Sequence, residues 1–177
     1  MNQIVRSQGI TYGLILGFIF ALFTTYGYAI DMSFFTSWWL MLLSFLAMVI
    51  VGILAITNSK KLLGGFISFK DAFTAFFITA ALGLLISTLI GILIFNVIDP
   101  GSKEILKELT IEKTVEVMER FNAPEEALDE ALAKIEDTDS FSMGAQFKNY
   151  FIALAMYAFI GLIVALIFKK KDPSLIE

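Results

Sequence analysis

Catalysis and ligand binding need groups that exchange protons, attack, or hold metals, and this chain carries few of them. It contains no His and no Cys, which excludes imidazole acid–base catalysis, thiolate chemistry and zinc or haem centres built on those ligands. Carboxylates, lysines and hydroxyls remain. Lys70, Asp71 and Asp99 stand at the edges of long uncharged stretches. Asp71, in the first turn of a helix, complements the N-terminal dipole. Asp99 opens the turn Asp99-Pro100-Gly101-Ser102. Two carboxylates form an acid–base pair only within reach of one substrate. These two belong at opposite membrane faces, so a structural role is expected of each, as of Lys70. Glu136, Asp137 and Asp139 cluster in sequence, but the calcium-loop spacing D-x-[DN]-x-[DN]-G-x5-E is absent. So are a Walker loop, GxSxG and HExxH. The expectation is no catalytic residue, no cofactor, no metal and no nucleic-acid partner.

The elements that would position any site are apolar. Of 177 residues 58% are hydrophobic and only 17% charged, and the mean hydropathy is +0.80. Soluble domains are nearer 45–50% apolar and about 25% charged, so lipid is the natural solvent. Four stretches lack Asp, Glu, Lys and Arg: 10–30, 38–57, 72–97 and 151–168. Each is long enough to cross about 30 Å of hydrocarbon. The third would measure about 39 Å as a straight helix and must tilt or protrude. Trp38 and Trp39 open the second as an interfacial anchor. The first reads as a retained span, because about 20 apolar residues exceed a signal peptide's apolar region. The fold expected is all-α and integral to the membrane.

Within the spans, small residues recur at every fourth position. Gly9, Gly13 and Gly17 form one row, and Ala75, Thr79, Gly83, Ser87 and Gly91 another. Such rows let helix backbones approach closely, because lipid supplies no hydrophobic drive for helix association. They suit packing within one four-helix unit or assembly of several copies. Thr24, Thr25, Ser44, Thr74, Ser87, Thr88 and Asn96 are further polar side chains in the spans. Membrane hydroxyls usually bond back to their own helix. The spans hold no ionisable group except Tyr, which argues against an ion-coupled carrier.

Orientation follows Lys and Arg in short flanking segments. Arg6, Lys60, Lys61, Lys70, Lys169, Lys170 and Lys171 gather on one side, and the loop 31–37 on the other has none. Both termini are therefore expected in the cytoplasm, and the segment 99–149 outside. That segment carries thirteen acidic and six basic residues. Two amphipathic helices are expected in it, separated at Asn122-Ala123-Pro124. Leu106, Leu109, Ile111, Val115 and Met118 stripe the first; Leu128, Ala131, Leu132 and Ile135 stripe the second. Pro124 suits the first position of that second helix, and Glu116 with Arg120 suits an i,i+4 pair. The result is an acidic helical hairpin between the third and fourth spans of one overall domain.

The run Gly64-Gly65-Phe66-Ile67-Ser68-Phe69-Lys70-Asp71-Ala72-Phe73 before the third span, Ile98-Asp99-Pro100 after it, the acidic insert and the terminal Lys cluster resemble one family over nearly the whole chain. It is the bacterial membrane family called domain of unknown function 4199, common in Bacteroidetes. The resemblance implies an inner-membrane location and four spans, and carries over no catalytic residue. The function expected is that of a non-enzymatic accessory protein, engaging a membrane-protein partner or a second copy through the periplasmic cap or the small-residue faces. The alternative is a subunit of a small oligomeric transporter or channel.

Overall fold

A computed structural model describes residues 2–170 of the chain. Six α-helices follow in order: α1 Gln3–Ala29, α2 Trp38–Leu62, α3 Phe69–Ile92, α4 Ser102–Arg120, α5 Glu125–Asp137 and α6 Met143–Phe168. A 3-10 turn, Met32–Thr36, joins α1 to α2, and a π-helical turn, Leu93–Ile98, ends α3. There is no strand among the described residues. Helices α1, α2, α6, and α3 together with its π turn are long and apolar enough to cross a membrane.

The spans run past their uncharged cores. Helix α1 starts at Gln3 rather than near 10, capped by Asn2, whose Oδ1 accepts from the Ile4 amide at 2.9 Å. Helix α6 starts at Met143 rather than 151, so residues 143–149 belong to the fourth span's helix and not to the insert. Polar Gln146, Lys148 and Asn149 mark where α6 leaves the hydrocarbon, not where it ends. The third span is one continuous rod only as far as Ile92 and changes hydrogen-bond period at Leu93. Pro124 caps α5 instead of beginning it: its carbonyl accepts from the amides of Ala127 and Leu128. Glu116 pairs with Lys113, one turn back, in place of the Arg120 pairing expected from spacing. Lys171 of the terminal cluster lies outside the described residues.

Helix α3 is the axis. It packs against α1, α2 and α6, and its pairing with α1 is the most extensive in the protein. The two run parallel in constant register. A Cβ added to Gly9 would lie 2.9 Å from the Ile78 Cβ, one on Gly13 would lie 2.9 Å from the Leu82 Cβ, and one on Gly17 would strike Ile86. The glycine row of α1 is thus a groove for three branched side chains of α3. In return, Leu16 of α1 fills the notch at Gly83, 2.5 Å from where a Cβ would stand. Phe76, fully buried, sits between α2 and α6. A Cβ at Gly52 of α2 would overlap its ring, and one at Gly161 of α6 would come within 2.7 Å of it. One phenyl ring therefore sets the spacing of three helices.

The terminal end of the bundle is tied by backbone. Helix α2 ends in a Schellman arrangement: the Gly65 amide donates to the Lys60 carbonyl at 2.9 Å and the Gly64 amide to Lys61 at 3.3 Å. Gly64 and Gly65 have φ of +79° and +92°, where a side chain is strained. The chain then pairs Ile67 with Lys170 through two backbone hydrogen bonds of 3.0 and 2.9 Å. Lys60 Nζ donates to the Phe168 carbonyl at 3.1 Å, capping α6 with a cation as the helix dipole favours. Ser68 and Asp71 cap α3 reciprocally: the Asp71 amide donates to the Ser68 hydroxyl at 3.0 Å, and that hydroxyl donates to the Asp71 carboxylate at 2.8 Å.

If steric fit holds the spans, Phe76→Ala should destabilise the protein by about 3–5 kcal/mol, and Gly83→Leu should do as much by expelling Leu16. Thermal unfolding in detergent checks both. Melting temperatures equal to the wild type's would show that neither contact matters.

Candidate functional site

The surface with most to offer a partner is the cap, α4 and α5, together with its junction to the spans. The junction grows from Phe95 in the π turn of α3, which is 3% exposed. Its ring meets Tyr28 of α1 at 6.4 Å and Phe35 of the 3-10 turn at 5.6 Å, both edge-on. Phe141, two residues before α6, stands 5.4 Å away. Leu106 of α4 is fully buried in this cluster, with Ile94 beneath it. Gly27 makes room for Phe35: a Cβ there would lie 2.7 Å from the ring. Sequence periodicity places Leu106 on the apolar stripe of α4; that Phe95 is what the stripe meets is not encoded in any local pattern.

Polar bonds close the rim of the cluster. Tyr28 Oη donates to Asp99 Oδ2 at 3.2 Å, and Ser102 Oγ donates to the Asp99 carbonyl at 2.6 Å. Asn96 Nδ2 and Gln146 Nε2 both donate to the Phe141 carbonyl, at 3.0 and 2.9 Å. Asn96 therefore does not reach for headgroups or water, as its place near the span's end suggests. It ties the link between α5 and α6 to α3. Farther out, Lys103 pairs with Asp139 at 3.3 Å and Lys107 Nζ donates to the Glu136 carbonyl at 3.0 Å. These bonds bring the start of α4 beside the end of α5. On the outer face of α5, the Lys134 ammonium hydrogen-bonds Glu130 and holds its carboxyl below the ordinary glutamate range.

Magnitudes decide what mounts the cap. Exposed ion pairs contribute about 0–1 kcal/mol each. Burying a Leu or Phe side chain from water contributes about 1.5–3 kcal/mol, and aromatic edge contacts about 0.5–1.5 kcal/mol more. The cluster of Phe95, Leu106, Phe35 and Phe141 outweighs the lysine contacts. A cleft of about 610 Å³ lies between Lys103 and Lys107 of α4 and residues 135–141. Its two lysines already bond the opposite wall.

The other residues singled out by type and spacing fall elsewhere. Asp71 and Asp99 stand at the two ends of α3 with its π turn, about 42 Å apart by helical rise. They cannot share a substrate. Lys70 is exposed in the first turn of α3, and its carbonyl accepts from Thr74 at 2.7 Å. Thr79 is fully buried between α1 and α3; its hydroxyl sits 2.9 Å from the Ala75 carbonyl and 3.3 Å from that of Gly9. Thr24 and Thr57 likewise bond back within their own helices. Ala75 is fully buried, Ser87 is half-buried, and Gly91 faces the Gln146 amide of α6. Gly52 and Gly161 seat Phe76. Gly52 stands outside any four-residue row, an isolated glycine in an apolar span, whereas Gly161 begins a short small-residue pair with Ala165. No group of three or more metal-ligating side chains occurs among the described residues.

Three apolar spans packed around a fourth, with a helical cap sealed to one end, make this a multi-pass α-helical membrane protein. Over residues 11–170 it matches the model of the family described as protein of unknown function (DUF4199), and the chain belongs to that family. No curated protein and no solved structure matches it.

Phe95→Ala should detach the cap while leaving the helices of the spans intact, and Asn96→Leu should weaken the same junction by about 1 kcal/mol. Limited proteolysis in detergent reads this directly: the link 138–142 should be cut severalfold faster in Phe95→Ala than in wild type. Equal cutting would mean that the cap is not held at Phe95.

Proposed function

We propose that the protein is a non-enzymatic accessory protein of the bacterial inner membrane. Both termini lie in the cytoplasm, and α4 and α5 form a helical hairpin held in the periplasm for a membrane or periplasmic partner. The observation that carries this reading is the seal at Phe95. A linker between two spans needs no buried aromatic cluster, whereas a binding surface gains affinity when it is mounted rigidly and loses little entropy on association. The outer faces of α4 and α5 supply an acidic, solvated surface, with Glu108, Glu119, Glu125, Glu126 and Asp129 among its exposed residues. A basic surface on the partner would complement it and speed encounter.

The orientation rests on the basic residues Arg6, Lys60, Lys61, Lys70, Lys169 and Lys170, which flank the spans at the end opposite the cap. The transporter reading finds less support. Thr79 is enclosed between two helices and bonded to their carbonyls, and Asn96 is committed to Phe141. Neither leaves a polar side chain for a permeant solute.

The chain's lack of Cys makes topology easy to test. A membrane-impermeant maleimide should label Ser140→Cys in cells with a permeabilised outer membrane, and Lys61→Cys only after the inner membrane is opened. The reverse pattern would invert the topology. For function, crosslinking in native membranes followed by purification should return one stoichiometric partner with the wild type and lose it with Phe95→Ala. Recovery of the wild-type chain alone would refute the accessory role.

A further inference from the structure

We infer that the far end of α4 is a lipid-contacting element, with Phe121 entering the headgroup–acyl boundary of the leaflet that Trp38 and Trp39 mark. Phe121 is 78% exposed and sits among Glu119, Arg120 and Asn122, on a segment with the composition of a water-facing helix. A phenyl ring so exposed gains whenever an apolar environment takes it out of water.

Its position is fixed rather than frayed. The Ala123 amide donates to the Met118 carbonyl at 2.9 Å and the Asn122 amide to Glu119 at 3.0 Å. These are the two bonds of a Schellman cap. Asn122 takes the left-handed position at φ +50°, which Asn tolerates better than other side chains. Phe121 is thus the C-cap of a well-terminated helix.

The height of the ring follows from how α4 lies. Leu106 is buried with Phe95 beside Phe35. Three turns later, Val117 and Met118 still border Phe35 and Thr36, while Leu109, Glu112 and Glu116 border Ser33, Thr36 and Ser37. Over about 18 Å of helix, α4 therefore keeps to the turn between α1 and α2 and runs along the end of the bundle instead of rising from it. Ser37 leads directly into Trp38 and Trp39, stacked 3.9 Å apart and 61% and 54% exposed. Paired exposed tryptophans at the start of a span belong to the membrane interface. Phe121 lies one turn beyond Val117, about 6 Å farther along a helix that keeps to this end of the bundle, and its exposure shows that no part of the bundle covers it. Arg120 beside it is exposed and long enough to lay its stem on lipid and its guanidinium at the phosphates. The occupant of this surface is therefore the protein's own bilayer, and the inference does not depend on the existence of a protein partner.

Single-cysteine variants of the otherwise Cys-free chain test it. Phe121→Cys and Glu119→Cys would each carry a nitroxide, in purified protein reconstituted into vesicles of phosphatidylethanolamine and phosphatidylglycerol. Power saturation then compares collision with oxygen, which concentrates in lipid, and with a water-soluble nickel chelate. The expected result is an oxygen-to-chelate ratio severalfold higher at position 121 than at 119. Equal, water-like ratios at the two positions would overturn the inference. So would an immobilised label at 121 shielded from both reagents, which would place a second copy of the chain on this surface. Substituting so exposed a residue does not threaten folding, and an unchanged helical melt of both variants confirms that the comparison is valid.

Discussion

In a bilayer, helices gain nothing by hiding apolar side chains from lipid tails, so close steric fit has to hold them together. Here that constraint falls on α3. Its Phe76 ring lies where two glycines, Gly52 and Gly161, let neighbouring backbones close on it. Its Ile78, Leu82 and Ile86 lie in a groove that α1 opens with Gly9, Gly13 and Gly17. Without α3, α1 and α2 would still pack on each other, but α6 would keep only a slight contact with α2. The remaining faces are left for lipid. They are exposed and apolar all along α2 and α6, for example at Met41, Ile50, Phe159 and Ile167.

The same helix carries the cap, and there the physics changes. Beyond Ile92 the chain approaches water, and apolar burial becomes a driving force again. The π turn redirects the end of α3 and presents Phe95 to Tyr28, Phe35 and Phe141. Single-turn π segments recur at functional positions, and this one joins the dry core to the wet one. Phe76 and Phe95 are nineteen residues apart in the sequence, about 28 Å along the helix. Packing in the spans and mounting of the cap are thus properties of one span, α3 and the π turn that ends it. A partner bound to the cap would feel the spans through it.

Much of this was legible in the residues alone. Absence of charge over about 20 residues is enough to mark a span, because the cost of burying charge in lipid is large. The stripes of α4 and α5 follow from helical periodicity, and the place of Asp71 at a helix N-terminus from local chemistry; that Ser68 completes the cap shows only in the fold. Partner identity was not legible. The row Gly9, Gly13 and Gly17 announces a groove but not that Ile78, Leu82 and Ile86 fill it. The row on α3 divides: Gly83 receives Leu16 of α1 and Gly91 faces α6. Asn96 finds its acceptor forty-five residues away at Phe141, a separation that no periodicity encodes. The start of α6 at Met143 is not marked by charge, because polar residues end the hydrocarbon-compatible stretch without ending the helix.

The central claim is that the cap is part of the membrane body and not a tethered appendage. Hydrogen exchange of the unmodified protein in lipid nanodiscs tests this most directly, because backbone amides report the opening free energy of each segment. If the claim is right, amides 105–110 of α4, around buried Leu106, should exchange as slowly as those at the end of α3, and several orders of magnitude slower than those of α5. Exchange of 105–110 as fast as α5 would contradict it, and would mean that the seal at Phe95 does not hold.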